Sequence, residues 1–217
     1  MNRTLKRIVS TLAVLALLTG CGPNRVETPS RFPKPVMQPI ALSAALQVDA
    51  AFSSYVHEEK LPPPGKAWKL SIGPASVDWM KNLLAAAFTD FKGNATAGAD
   101  LVFRPVIDSV QFSTPAQSRT EFFEAWIKYK VAVLDRNGKP LAEWPIAAYG
   151  KRRDKSLASS EDGMGEALNK AMRDGAAGLA LELRDPQRLK SLLNAAGARS
   201  PSASVEPQPA AGDRHAS

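Results

Sequence analysis

The chain has 217 residues, with 28 basic against 21 acidic side chains and a net charge of +7. Its single cysteine excludes an intramolecular disulfide, and two histidines with one cysteine are too few for a metal site built from those ligands alone. The charge excess is mild and gives no reason to expect a nucleic-acid partner.

The N-terminus carries Arg3, Lys6 and Arg7, then an apolar run from Ile8 to Leu18. A basic segment before a short greasy stretch and small residues is the pattern of a secretory signal. Eleven helical residues rise only about 16 Å, against a bilayer core of roughly 30 Å, so the run is too short to span. It ends in Leu17-Leu18-Thr19-Gly20-Cys21, which resembles the lipobox of bacterial lipoproteins. The resemblance implies cleavage before Cys21 and acylation of its thiol and new amine, giving a membrane anchor of two or more chains. Gly22 stands where an Asp would mark inner-membrane retention, so the resemblance implies the periplasmic face of the outer membrane. Removing residues 1–20 takes away three of the 28 basic residues and none of the 21 acidic ones, leaving 25 against 21, or +4.

From Cys21 to Pro39 five prolines (Pro23, Pro29, Pro33, Pro35 and Pro39) and no apolar period read as an extended tether. At about 3.1 Å per residue it would hold a domain up to about 60 Å from the lipid. A single domain is expected over residues 40–196, followed by a disordered Ala-, Pro- and Ser-rich tail at 197–217 that contains His215.

Within the domain, Ile40–Val48 and Phe52–Val56 read as strands, and Leu61-Pro62-Pro63-Pro64-Gly65 forces a loop. Trp68–Ile72 is a strand with Trp68, Leu70 and Ile72 on one face. Gly73-Pro74 opens a helix whose stripe runs through Val77, Met80, Leu84, Ala87, Phe88 and Phe91, to be stopped by Gly93-Asn94. Asp100–Phe112 returns as a strand, with Pro105 marking an edge or a bulge.

Glu121–Asp135 has the clearest pattern. Phe123, Ala125, Ile127, Tyr129, Val131 and Val133 alternate with Glu124, Lys128 and Lys130, the period of a half-buried strand. Asn137-Gly138 suits a two-residue type I′ turn, with both residues at positive φ. Such a turn pairs residues whose numbers sum to 275, setting Val131 against Trp144, Tyr129 against Ile146 and Ile127 against Ala148. A slip of one residue would put Val131 against Glu143 and turn the second strand's apolar side to water. Pro145, opposite Lys130, is expected to force a bulge.

Ser159-Ser160-Glu161-Asp162 supplies a helix cap and acidic first turn. Met164, Leu168, Ala171, Met172, Ala176, Leu179 and Leu183 continue as a helical stripe, and its glycines permit close approach to a sheet. Pro186 ends it, and Leu189, Leu192 and Leu193 indicate a short closing helix. The expected fold is α+β in two layers: an antiparallel sheet of four to five strands with two main helices on one face.

Chemistry-bearing residues are sparse. His57-Glu58-Glu59 lacks the spacing of a helical zinc motif, and no Gly-x-Ser-x-Gly elbow offers a serine to His57. No catalytic group, metal or cofactor is therefore expected. Lys151, Arg152 and Arg153 form the one dense basic cluster of the domain, either a solvated connection or a contact for anionic phosphate. Trp126, on the polar side of its strand, is either a partner anchor or covered by a loop.

Several segments together resemble the small proteobacterial outer-membrane lipoproteins grouped with transport-auxiliary and envelope-assembly lipoproteins. They are Asp100–Phe112, Lys128-Tyr129-Lys130-Val131 leading to Asn137-Gly138, Trp144-Pro145-Ile146, Tyr149-Gly150-Lys151 and Ala171-Met172-Arg173-Asp174. The resemblance implies a non-enzymatic, lipid-anchored accessory domain with a periplasmic protein or lipid partner. The alternative is a module that binds lipid, glycolipid or cell-wall material. A pocket lined by Leu, Phe and Trp would favour lipid, and a flat exposed face a protein.

Overall fold

The computed structural model of the chain describes residues 22–28, 32–63, 65–155 and 158–197. Cys21, the expected signal segment before it and all of the expected tail except Gly197 lie outside the described residues.

Two long strands, β7 (Phe122–Asp135) and β8 (Pro140–Arg153), form the central hairpin. Their ladder pairs Val131 with Trp144, Tyr129 with Ile146 and Ile127 with Ala148, so the register is the one the apolar alternation demands. The turn that delivers it is different. Only Gly138 has positive φ, at 79°, while Asn137 does not. The Gly138 N–H donates to the Asp135 carbonyl at 2.9 Å, the Asp135 N–H donates to Lys139 O at 2.9 Å, and Asp135 Oδ1 accepts from the N–H of Asn137 and of Lys139. This is a three-residue loop with glycine in the left-handed position. It pairs Leu134 with Pro140, and the register shift between Val133 and Leu134 restores the pairing of Val133 with Ala142. Asp135 decides the turn by accepting two backbone N–H groups that a tighter loop would not present to it. No register shift occurs at Pro145, which stays opposite Lys130. β8 is an edge strand, where a proline nitrogen facing away from the neighbour costs no ladder bond.

The fold is α+β, but with two sheets rather than one and with parallel as well as antiparallel pairs. The larger sheet has the order β5-β2-β6-β7-β8, with β2 (Ile40–Leu46), β5 (Phe88–Phe91) and β6 (Leu101–Ser113). β2 runs parallel to both β5 and β6, whereas β6, β7 and β8 are antiparallel. β2 accompanies β6 only over Leu101–Phe103, so Pro105 lies where that side of β6 has no strand beside it. A register shift follows between Ile107 and Ser109.

The smaller sheet has the order β1-β4-β3, from β1 (Asn24–Glu27), β3 (Val56–Lys60) and β4 (Ala67–Ser71). β1 lies inside the expected tether. It pairs parallel to β4 and buries Val26, so the folded body begins well before Ile40. Proline-rich composition hid a strand of four residues whose stability comes from its neighbours.

Phe52 is also helical rather than extended. Asp49 Oδ1 accepts the Phe52 N–H at 2.7 Å and caps the single turn α1 (Ala50–Ser53), which buries the Phe52 ring. Helix α2 (Gly73–Ala87) ends six residues before Gly93 and passes directly into β5. Phe88-Thr89-Asp90-Phe91, though in phase with the helical stripe, finds backbone partners on β2 instead, and pairing overrides the weaker helical preference of such residues. A turn, α3 (Pro115–Ser118), precedes β7, and α4 (Ser160–Arg184) and α5 (Pro186–Ala195) close the fold. The Ser159 side chain caps α4 by accepting the Asp162 N–H at 3.0 Å.

The main core lies between the inner face of the large sheet and helices α2 and α4. Phe123, Ala125, Ile127, Tyr129, Val131 and Val133 are all buried there, with Trp144, Ile146 and Ala148 from β8. Each large aliphatic side chain buried this way contributes about 1.5–3 kcal/mol. Tyr129 brings a hydroxyl into this layer. Its hydroxyl shares a 3.0 Å hydrogen bond with Ser76 Oγ of α2, and its ring meets Trp79 edge-on at 5.6 Å. Burial pushes the Tyr129 hydroxyl up to about 12, against smaller opposing pulls from Ser76 and Trp79. α4 lies so close to β8 that a Cβ on Gly150 would come within 2.1 Å of the Ala167 carbonyl oxygen. Only glycine fits at that crossing.

Candidate functional site

Inward-facing side chains of β7 and β8 are covered by helices, which leaves the other face of the β6–β7–β8 ribbon outward. Period two puts Trp126 of β7 and Tyr149 of β8 on that face as direct cross-strand partners. Their rings lie 5.2 Å apart at 31°, and they remain 37 % and 38 % exposed. Among the described residues no loop covers Trp126. Val106 of β6 is also exposed on the ribbon.

Polar contacts fix the Tyr149 member of this pair. The Tyr149 hydroxyl donates to Glu124 Oε1 at 2.6 Å, and Ser113 Oγ donates to Glu124 Oε2 at 3.2 Å. The hydrogen bond to Glu124 pushes the Tyr149 hydroxyl up to about 12, with desolvation and the charge of the same carboxylate adding to it. Behind the ring, the Tyr149 N–H donates to Asp174 Oδ2 of α4 at 3.0 Å, tying the edge strand to the helix. Lys130 pairs with Asp108 at 2.6 Å at the β6 irregularity, and Lys151 Nζ sits 5.0 Å from the centre of the Phe122 ring. The result is an outward face with a cross-strand aromatic pair and a rim of charges.

The basic run does not form one patch. Arg152 turns inward, is 5 % exposed, and donates from Nε to Glu166 Oε2 of α4 at 2.8 Å and from its guanidinium to the Arg153 carbonyl at 2.9 Å. Lys151 and Arg153 point the opposite way, and Arg153 pairs with Glu121. Alternation along β8 splits three neighbours between two sides of the sheet. A cleft of about 680 Å³ between β1 and α4 receives Arg152 and Glu166 together with Arg25, Glu27 and Lys170, a mixture of signs rather than a cationic cradle.

His57 lies on β3, 3.2 Å from Glu59 Oε2 and edge-on to Phe112 at 6.0 Å. Among the described residues no group of three or more His, Cys, Asp or Glu is arranged to hold a metal, and no helix is long and apolar enough to cross a membrane. Alternation along β7 marks Trp126 by itself, whereas Tyr149 becomes its partner only through the hairpin register. The signal was available, because 126 and 149 also sum to 275 and the register pairs them.

No family model matches the chain, and no curated protein matches it either. Among solved structures it is similar to a Xanthomonas campestris protein of the DUF330 family, with a TM-score of 0.44, 9 % identity, and 75 % of this chain and 97 % of that one covered. It is also similar to a minor lipoprotein from Acinetobacter baumannii, with a TM-score of 0.43, 12 % identity, and 67 % and 92 % covered. Likeness of this degree fixes neither a family nor a function.

Proposed function

We propose that the chain is a non-enzymatic lipoprotein, anchored through acylated Cys21 to the periplasmic face of the outer membrane, and an auxiliary of envelope transport or assembly. The observation that carries the anchor is the Leu18-Thr19-Gly20-Cys21 motif at the end of a short basic-then-apolar segment. The folded domain acts by docking a periplasmic protein on the outer face of β6, β7 and β8. The exposed Trp126–Tyr149 pair supports this part, since a cross-strand aromatic pair ringed by charges suits the centre of an interface.

Two experiments bear on the two parts separately. Metabolic labelling with a fatty-acid analogue should mark the wild-type chain and not Cys21→Ser; equal labelling of both would end the anchor reading. A photo-crosslinking amino acid at position 126, in intact cells, should give a discrete protein adduct. The same group at exposed Leu181 on α4 should not, and identical products from both positions would remove the docking face.

A further inference from the structure

On the opposite side of the molecule from Trp126, helices α2 and α4 and the segment leading into β2 border an apolar cavity of about 280 Å³ that opens to solvent at Pro33, Arg173 and Ala177. Trp79 and Leu83 of α2 form one wall, Ala176, Ala177 and Ala180 of α4 the second, and Phe32, Pro33 and Pro35 the third. Asn82 Nδ2 donates to the Phe32 carbonyl at 3.1 Å and pins this third wall to α2. The small alanines hold the cavity open, because any larger apolar residue there would fill it. Arg173 stands between this cavity and the charged cleft beside β1 and lines both. It precedes Ala180 by seven residues, or about 10 Å along the helix, so the charge sits at one end of an apolar wall. Among the described residues Arg173 makes no ion pair.

We propose that this cavity binds a single medium-chain fatty carboxylate, with the alkyl chain between α2 and α4 and the carboxylate on Arg173. Size selects one chain. At about 280 Å³ the cavity lies just below the roughly 300–1,000 Å³ of ligand pockets. At about 30 Å³ for a group the size of water it holds nine or ten such groups. Charge selects the head group. One unpaired guanidinium complements one carboxylate in a bidentate contact, and the other walls offer apolar contact only. This inference does not depend on the docking face and stands or falls without it.

The probe is decanoate carrying a photoreactive diazirine, added to the full chain held in amphipol, with the adducts mapped by mass spectrometry. Adducts are expected at Trp79, Leu83 or Ala180, displaced by unlabelled decanoate. Ala177→Trp, a change at an exposed helical position, should fill the cavity and abolish them. Arg173→Gln should weaken decanoate about two- to fivefold, the range of a solvent-exposed ion pair, and should leave the matching diazirine decanol unaffected. Absence of adducts in the cavity at millimolar decanoate would overturn the proposal, as would equal labelling by Ala177→Trp. Insensitivity of decanoate to Arg173→Gln would overturn the carboxylate assignment. So would displacement by lyso-phosphatidylglycerol at lower concentration than by decanoate. Because Arg173 is exposed, its variant keeps the test decisive even if Ala177→Trp does not fold.

Discussion

Asn137 and Gly138 are neighbours in one turn, but only the glycine meets a backbone demand. With φ at 79°, Gly138→Val places a β-branched residue in the left-handed region and is expected to cost about 2 kcal/mol. Asn137→Ala should stay within about 0.5 kcal/mol, and urea denaturation of both variants separates this loop from a type I′ turn. The basic run divides in the same way. Arg152→Gln removes a buried guanidinium held by Glu166 and the Arg153 carbonyl, with an expected loss of about 1–3 kcal/mol. Lys151→Gln and Arg153→Gln on the open face should each change stability by about 0.5 kcal/mol or less. Equal effects from all three would contradict the split. Tyr149 links the outer face to pH. Its hydroxyl is held up to about 12 by Glu124, and a raised tyrosine pKa means that the protonated form is favoured by folding. The contribution of the pair is therefore complete below the ordinary tyrosine value near 10 and fades as pH rises through about 12. In an absorbance titration Glu124→Gln should shift one tyrosine to lower pH, and an unchanged curve would disprove the coupling.

At the level of elements, what the sequence made legible depended on whether local pattern or distant pairing decided the outcome. β7, β8 and α4 carry long, regular apolar periods, so their faces, their register and the Ser159 cap could all be read directly. α2 was legible only to Ala87, because Phe88 and Phe91 continue the helical phase while pairing with β2 decides their conformation. β1 has a single buried apolar residue, Val26, and gives no periodic signal at all. The parallel alignment of β2 with β5 and β6 was equally hidden, since the segments that join parallel strands say nothing of which edge they return to. The outer face was half legible: Trp126 stood out as an aromatic in a polar row, whereas Tyr149 needed the register. The cavity behind Arg173 was not legible, because Phe32, Trp79 and Ala177 come from three separated segments.

For the whole molecule, β1 changes where the domain sits. A free tether from Cys21 to Pro39 would place it tens of ångströms from the lipid. With Asn24 already paired to Trp68 of β4, only Gly22 and Pro23 lie between Cys21 and the sheet, three backbone steps that reach about 10 Å. If Cys21 is acylated, the small sheet and the nearby end of α4 therefore work close to the bilayer surface. Arg25 provides a direct test, since it lies in β1 and has an exposed side chain. Trypsin needs an unpaired stretch of backbone, and pairing with β4 should protect the Arg25–Val26 bond in the native protein. Val26→Asp buries an unpartnered carboxylate beside β4 and α4, which should release the strand. The expected result is slow cleavage after Arg25 in the wild-type chain and rapid cleavage in Val26→Asp, with the core of β7 and β8 intact in both. Rapid cleavage of the wild-type chain at Arg25 would restore the long tether and move the domain back from the membrane.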